Sequence, residues 1–529
     1  MNASAEANPG PPPARKRRRL LRGCAWGCGG VLALVLVLIA ILLGLLSRVP
    51  KSYPVATRPV PPPEPGGSLG GGLDGFAAPY LGHTGSWDGK GGALGGGSKT
   101  ADLDREVGMG LRWTFMPVYW SVLEPNGPVD LTQEVPPAWQ ELDAFVVAAE
   151  ARKLNILMQA PVVGGNAGGP PAWAGRREAG RSAPQDMQAL VAFAGKLAER
   201  YRPDGTLARE QGWGTRYGVR AWEMDNEPES YFTCWKGQAG DYAEFVTGAA
   251  QRIRAQDPQA VLVAPGMGAG EHGLRWLAEA LSGSSEQGSP AFRAAGQSYS
   301  IGPLVDAISF HNYEGLDSAF SGGSRTIVTV FQDVREVLEQ AEQRAAGQTY
   351  ARKQEYWHTE GNFDFLGVLS AERRAAWRFQ FFTRAFAAGI RKVCVMDASP
   401  AEQAAVRAYV RVLPRPWPML LATEDIQVAQ GTVVAFRHVD GADLKTGQVW
   451  IVWPVANTGD ATVRIPVRQP EVEVISVTGE ASRLRAREGW VQIELPGDPK
   501  MAPGVLVVDR PGDQEGSDGV AAGSSTAER

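Results

Sequence analysis

The chain has 529 residues, 44% of them apolar and 21% charged, with a formal net charge of −4. That length exceeds one average domain, although an α/β barrel alone takes roughly 250 residues or more. So small a net charge excludes the broad basic surface of a nucleic-acid binder; with 5 His and 4 Cys, no HExxH and no zinc spacing, no metal site, cofactor or disulfide framework is expected.

Residues 1–22 read as a cytoplasmic tail, with the basic cluster Arg15-Lys16-Arg17-Arg18-Arg19 near its end. The stretch Gly23 to Ser47 carries no charge, and Val31 to Leu46 is almost purely Val, Leu, Ile and Ala. As a helix it would span about 37 Å, enough for a hydrocarbon core of about 30 Å. The spacing therefore predicts an N-terminal transmembrane helix over 23–47, a signal-anchor of a single-pass membrane protein. Positive charges before it predict a cytoplasmic N-terminus and an extracytoplasmic remainder. A cleaved signal peptide is the rival, but the apolar run is long for one. Residues 48–72, rich in Pro and Gly, read as a stalk.

From residue 73 to 414 short apolar runs alternate with amphipathic stretches. Strands are expected at Phe76–Leu81, Leu111–Val118, Leu154–Ala160, Val219–Met224, Ala260–Ala264, Val305–Phe310, Gln354–Thr359 and Lys392–Met396. Helices are expected at Ala101–Val107, Pro137–Lys153, Pro184–Tyr201, Asp241–Gln256, Gly273–Leu281, Thr326–Gly347, Ala371–Gly389 and Ala401–Leu413. Eight such repeats predict an α/β fold, a (β/α)8 TIM barrel. No GxGxxG follows the first strand and no P-loop occurs, so nucleotide binding has no support. After Pro414-Arg415-Pro416-Trp417-Pro418 six strand-like runs separated by turns predict a C-terminal β-sandwich over 415–510. Residues 511–529 read as a disordered tail.

In such a barrel the chemistry lies at the C-terminal strand ends. There the sequence places Asn226 and Glu227 after strand four, His311, Asn312 and Tyr313 after strand six, and Glu360 at the end of strand seven. Two carboxyls facing one cleft are what glycoside hydrolysis requires: one protonates the leaving oxygen, the other attacks the anomeric carbon or activates water. His311, Asn312 and Tyr313 would orient the attacking carboxylate, and Asn226 would bond a sugar hydroxyl. Trp120 and Trp357, with Trp113, Trp173 and Trp235, are candidates for stacking on sugar rings. His358 reads as structural. It shares strand parity with Glu360, so both are candidates to point inward. Asp225 and Glu223 are candidates for a like-charge partner that raises the pKa of Glu227.

Asn226-Glu227-Pro228 after a strand, with Trp357-His358-Thr359-Glu360 on a later one, resembles the clan A glycoside hydrolases. The layout with a trailing β-sandwich is most similar to glycoside hydrolase family 39. The resemblance implies a retaining hydrolase, and the expected anchor and stalk would let it act on a cell-surface or extracellular polysaccharide or oligosaccharide. In it Glu227 is the acid/base, Glu360 the nucleophile, Asn226 the contact to the sugar 2-hydroxyl and Tyr313 a hydrogen-bond donor to Glu360. Three positions depart from the clan's pattern: Phe115 where an arginine is common, Asp225 before Asn226, and Met396-Asp397 where a tryptophan often ends strand eight. The alternatives are a glycan-binding barrel without catalysis and a transglycosylase using the same two acids.

Overall fold

The computed structural model describes residues 75–77, 99–163, 169–176, 183–230, 235, 239–268, 270–282, 300–315, 325–344, 355–361, 363, 369–394, 399–413, 419–439 and 447–510. The expected transmembrane segment, stalk and tail lie outside these residues, as do Met396 and Asp397. Among the described residues no helix is long and apolar enough to cross a membrane.

The first sheet holds β1 (Gly75–Ala77), β2 (Trp113–Tyr119), β3 (Asn155–Val162), β4 (Ala221–Glu223), β5 (Val261–Val263), β6 (Met267–Gly268), β7 (Ala307–His311), β8 (Glu355–Glu360) and β9 (Lys392–Cys394). Its order, β2-β3-β4-β5-β7-β8-β9-β1, follows the chain, with β6 alongside β7. The named strand pairs are parallel, and β1 returns to pair with β9 through Gly75 and Lys392. Between them run α1 (Lys99–Gly108), α2 (Pro137–Ala151), α3 (Met187–Tyr201), α4 (Ala239–Gln256), α5 (Glu271–Ser282), α6 (Ile327–Arg344), α7 (Ala371–Ala388) and α8 (Pro400–Val412). The result is a curled parallel sheet with helices, the α/β architecture the alternation predicted.

Helix ends follow local chemistry. Ser370 caps α7 by accepting the Arg373 amide, and Gly389 closes it in the left-handed region at φ 105°. Ser399, Pro400 and Glu402 form a capping box with Pro at the first position of α8.

Inside the curl the strands stack residues in layers with period two. Trp113, Phe115, Leu157, Ala221, Val261, Val263, Ala307, Trp357 and Cys394 form one apolar cluster. Two residues further along their strands, Gln159, Glu223, Ser309 and Thr359 are all buried, and they make a polar layer above it. Apolar side chains therefore fill this part of the interior, where the buried Lys392 ammonium lies over the Trp113 and Trp357 rings, and the polar layer lies toward the strand ends.

The remaining strands are antiparallel. A six-stranded sheet runs β10 (Met419–Leu421), β12 (Val433–Val439), β13 (Gln448–Pro454), β18 (Val505–Asp509), β15 (Glu471–Ser476) and β16 (Ala481–Arg485). A three-stranded sheet runs β11 (Gln427–Gln430), β14 (Ala461–Pro466) and β17 (Trp490–Leu495). Trp450, Val452, Val463, Ile465 and Val491 pack in one core with residues of both sheets. The larger sheet docks on α7: Phe379 meets Trp453 edge-on at 6.4 Å, and Gln380 donates to the Ala502 carbonyl at 2.8 Å.

Candidate active site

Strand β4 is short, and the chain leaves it through a turn that side chains rarely allow. Asp225 has φ 74° and Glu227 φ 40°, both left-handed without being glycine. The turn is held from two sides. Asp225 is buried; its Oδ1 accepts the amides of Asn226 at 2.7 Å and Val163 at 3.2 Å, and its Oδ2 accepts from the Trp235 indole. Asn226 forms an isolated parallel bridge with Gly266, and the Glu227 amide donates to the Gly266 carbonyl at 2.8 Å. Glu227 is thereby lifted clear of the strand, its side chain 29% exposed.

Glu360 reaches the same place from β8 by an irregularity. The β7–β8 register shifts between Phe310 and His311, so that His311 pairs with Glu360 rather than with Thr359. This bulge reverses the facing of Glu360 relative to strict alternation. His358 keeps the other facing. It is buried against Phe310 at 5.8 Å and Phe381 at 5.1 Å, and burial holds its pKa down at about 3. Equal parity with Glu360 therefore does not turn His358 inward; its structural role stands.

His311 connects the two acids. Its Nδ1 lies 2.8 Å from Glu227 Oε1 and 3.9 Å from Glu360 Oε2. Burial pulls its pKa down, but Glu360 and the hydrogen bond to Glu227 outweigh burial and hold it up at about 9. One carboxyl oxygen of Glu227, one of Glu360 and a His311 ring nitrogen all lie within 4.8 Å of one another. A cation would fit such a spacing only with the His311 nitrogen that faces the acids unprotonated. Tyr313 donates its hydroxyl to Glu360 Oε1. Asn226 accepts from Gln159 Nε2 at 2.9 Å and is partly exposed.

Beneath these groups lies Glu223, fully buried. It accepts from Ser309 Oγ at 2.6 Å and Gln159 Nε2 at 3.0 Å. Burial raises its pKa to about 7 against the opposing effect of His311. Gln159 thus joins Glu223 to Asn226. A polar residue in the apolar run Ile156-Leu157-Met158 was the sequence signal for it, at the C-terminal end of a strand. Two further groups went unread. Tyr119 ends β2, and burial, then Glu360 and Asp225, push its pKa up to about 12. Glu229 is buried behind Glu227.

Several expectations need correction. Trp120 is fully buried, bonded to Glu124 Oε2 at 3.0 Å and packed edge-on to Trp173, so it offers no face to a sugar. Trp357 lies in the apolar interior, edge-on to Trp113 at 5.6 Å, with its indole donating to Glu355. Trp113 and Trp235 are buried too; of the five tryptophans only Trp173 is partly exposed. Asn312 is buried and turned away, donating to the Arg325 carbonyl at 3.0 Å. Asp225 is spent on holding its own turn. Phe115 sits in the apolar interior below the polar layer, so this chain has no side chain from that position at the strand ends.

No protein-family model and no curated protein matches the chain. Solved structures do. A family 51 α-L-arabinofuranosidase from Bifidobacterium longum superposes with TM-score 0.51 and 12% identity, over 87% of this chain and 98% of that one. A GH39 β-xylosidase from Caulobacter crescentus gives TM-score 0.50 and 14% identity, over 86% of this chain and 98% of that one. At such identity the likeness is one of fold. It is the fold of clan A glycoside hydrolases, families 39 and 51 among them, as the sequence resemblance implied.

Proposed function

We propose that the chain is a retaining glycoside hydrolase working by double displacement. The observation that carries this reading is the approach of Glu227 and Glu360, with carboxyl oxygens within 4.8 Å of each other. Retaining enzymes hold their two carboxyls about 5–5.5 Å apart, whereas inverting enzymes leave about 6.5–9.5 Å for a water. Glu360 attacks the anomeric carbon while the bond from that carbon to the leaving oxygen breaks. Glu227 gives that oxygen its proton. The second step runs in reverse sense: water attacks the carbon, Glu227 takes its proton, and Glu360 leaves. The His311–Glu227 pair supplies the proton, since the two groups share one between them. Tyr313 steadies Glu360 as the nucleophile, and Asn226, held by Gln159, meets the sugar 2-hydroxyl.

The curled sheet is read as a closed (β/α)8 barrel: β1 pairs with β9, and its Cα atoms come within 8 Å of those of β2. The apolar stretch Gly23–Ser47 behind its basic cluster supports a membrane-anchored, extracytoplasmic enzyme acting on polysaccharide or oligosaccharide near the cell surface.

The test is hydrolysis of a panel of polysaccharides and aryl glycosides, with product anomers followed by NMR. Wild type should release product with retained configuration, and Glu360→Gln should lose about 10⁴-fold or more. If wild type and Glu360→Gln bind glycan alike and neither cuts, the chain is a binding barrel. Longer product chains would mark a transglycosylase.

A further inference from the structure

Glu229 lies two residues past Glu227 and is 6% exposed. Its Oε1 accepts the Gly268 amide at 2.6 Å. Its Oε2 is also buried and, among the described residues, has no hydrogen-bond partner. His272 Nε2 meets the backbone carbonyl of Glu229 at 3.0 Å and not its carboxyl. The titratable groups around the carboxyl are Glu227 on the same loop, His311 on β7, Tyr242 on α4 and His272 on α5.

The strip Gly266–Gly268 gathers three parts of the site. The Glu227 amide bonds the Gly266 carbonyl, the Glu229 carboxyl takes the Gly268 amide, and the His311 ring lies over Gly266. The strip itself is paired to β7, with Met267 opposite Phe310 and Gly268 opposite His311. Movement at Glu229 therefore reaches Glu227 and His311 through one short piece of backbone.

An ionised carboxylate at Glu229 would be buried with only the backbone amides of Gly268 and of Glu229 itself to stabilise it, would leave Oε2 without a donor, and would face the Glu227 carboxyl. The neutral acid fits: it keeps the Gly268 bond and carries no charge into the interior. We propose that Glu229 is a positioning residue for Glu227, clamping the loop to β6 in its neutral form, and that its ionisation at alkaline pH releases the clamp. Burial first, and then the Glu227 carboxylate, raise its pKa to about 8, which supports the neutral form at working pH. The inference rests on the proposed role of Glu227 in hydrolysis.

The experiment compares wild type, Glu229→Gln and Glu229→Ala in two readouts. The first is melting temperature from pH 6 to 9.5, which needs no substrate. Wild type should lose stability as pH rises toward about 8, where the folded carboxyl ionises, and this contribution should level off above it. Glu229→Gln, a neutral isostere, should lose less, and Glu229→Ala should be weak at every pH. The second is the pH profile of kcat and KM. Glu229→Ala should lower kcat about tenfold with little change in KM, as misplacement of a reacting group does. Glu229→Gln should recover most of that loss at pH 6 and carry its activity further into alkali than wild type. Identical melting profiles for wild type and Glu229→Gln would overturn the proposal. So would a Glu229→Gln enzyme no better than Glu229→Ala at pH 6, because the charge would then be what the site needs. If wild type cuts no glycan, the proposed function fails, while the melting profiles still decide whether Glu229 is a neutral clamp.

Discussion

Nδ1 of His311 and Oε1 of Glu227 share a hydrogen bond of 2.8 Å, and the His311 ring is 1% exposed. The bond fixes the orientation of the acid and gives it a proton reservoir. Replacing His311 with Asn removes the reservoir and leaves Glu227 beside Glu360 without a cation between them. The expected outcome is a fall in kcat/KM of about 10²- to 10⁴-fold, the usual range for losing acid–base assistance. The alkaline limb of the pH profile should also move, which a purely structural lesion would not do. Steady-state kinetics across pH 5 to 10 checks both.

The same ring depends on a glycine. A Cβ on Gly266 would lie 2.0 Å from His311 Nε2, closer than any real contact. Its backbone φ is unremarkable, so the requirement is space rather than conformation. Gly266→Ala should push His311 off both acids while the barrel stays folded. Activity should drop about a hundredfold or more, in line with the His311 variant. Circular dichroism together with kinetics separates this from unfolding.

Much of the frame was legible in the sequence, because each strand is a compact apolar run ending in polar residues. Lys392–Met396 was expected, and the strand forms over Lys392–Cys394. Strands β11 and β16 were missed for a physical reason. All of Gln427–Gln430 is exposed, and of Ala481–Arg485 only Leu484 is partly covered, so neither shows buried alternation. Placing Glu227 and Glu360 at strand ends followed from their runs. Their meeting did not, since it needs the register shift at Phe310/His311 and the left-handed turn at Asp225 and Glu227. The tryptophans misled because a flat ring suits a sugar and a barrel interior equally well, and only burial tells them apart.

Stability should fall as pH rises from about 6.5 to 9. Glu223 is held up at about 7, Glu229 at about 8 and His311 at about 9, each above its unfolded value. Glu150, buried under the Gly218 amide, is raised to about 7. A group with a raised folded pKa binds its proton more tightly in the native state. Its contribution is complete below the unfolded pKa and is lost as pH passes the folded one. His358, held down at about 3, opposes this trend only below about pH 6.5, where the unfolded imidazole takes a proton. Scanning calorimetry at pH 6.5, 7.5, 8.5 and 9.5 should therefore show a melting temperature that falls most between pH 6.5 and 7.5 and levels off above about 9.

Behind the site, Glu314 anchors the chain that carries His311 and Tyr313. It is fully buried, pairs with Arg384 of α7 through both oxygens at 2.7 and 2.9 Å, and accepts from the Trp377 indole and the Ile327 amide. Taking away one partner leaves a buried charge alone. Glu314→Gln should destabilise the protein by about 3–5 kcal/mol. Arg384→Met in the same chain as Glu314→Gln should restore part of that, since both charges are then gone. Urea unfolding of the two single variants and the double variant measures the coupling.

Asp225 is the acid whose role the structure changes most. Like charge beside Glu227 suggested a partner that would raise its pKa. Instead the carboxylate is aimed at three N–H donors, from Asn226, Val163 and Trp235, and two of these lie on different segments of the chain. Its φ of 74° is one that Asn tolerates at least as well as Asp. Asp225→Asn therefore keeps the turn's backbone but removes the charge, and its amide nitrogen must face an N–H donor. Charged hydrogen bonds of this kind contribute about 1.5–3 kcal/mol each, so a loss of that order is expected. The kinetic signature should differ from that of a pKa partner. A carboxylate tuning Glu227 electrostatically would shift the acid limb of the profile when neutralised. A carboxylate that only shapes the turn would lower kcat at every pH and leave the limb in place. The second pattern is the expected one, and a pH profile of Asp225→Asn distinguishes them.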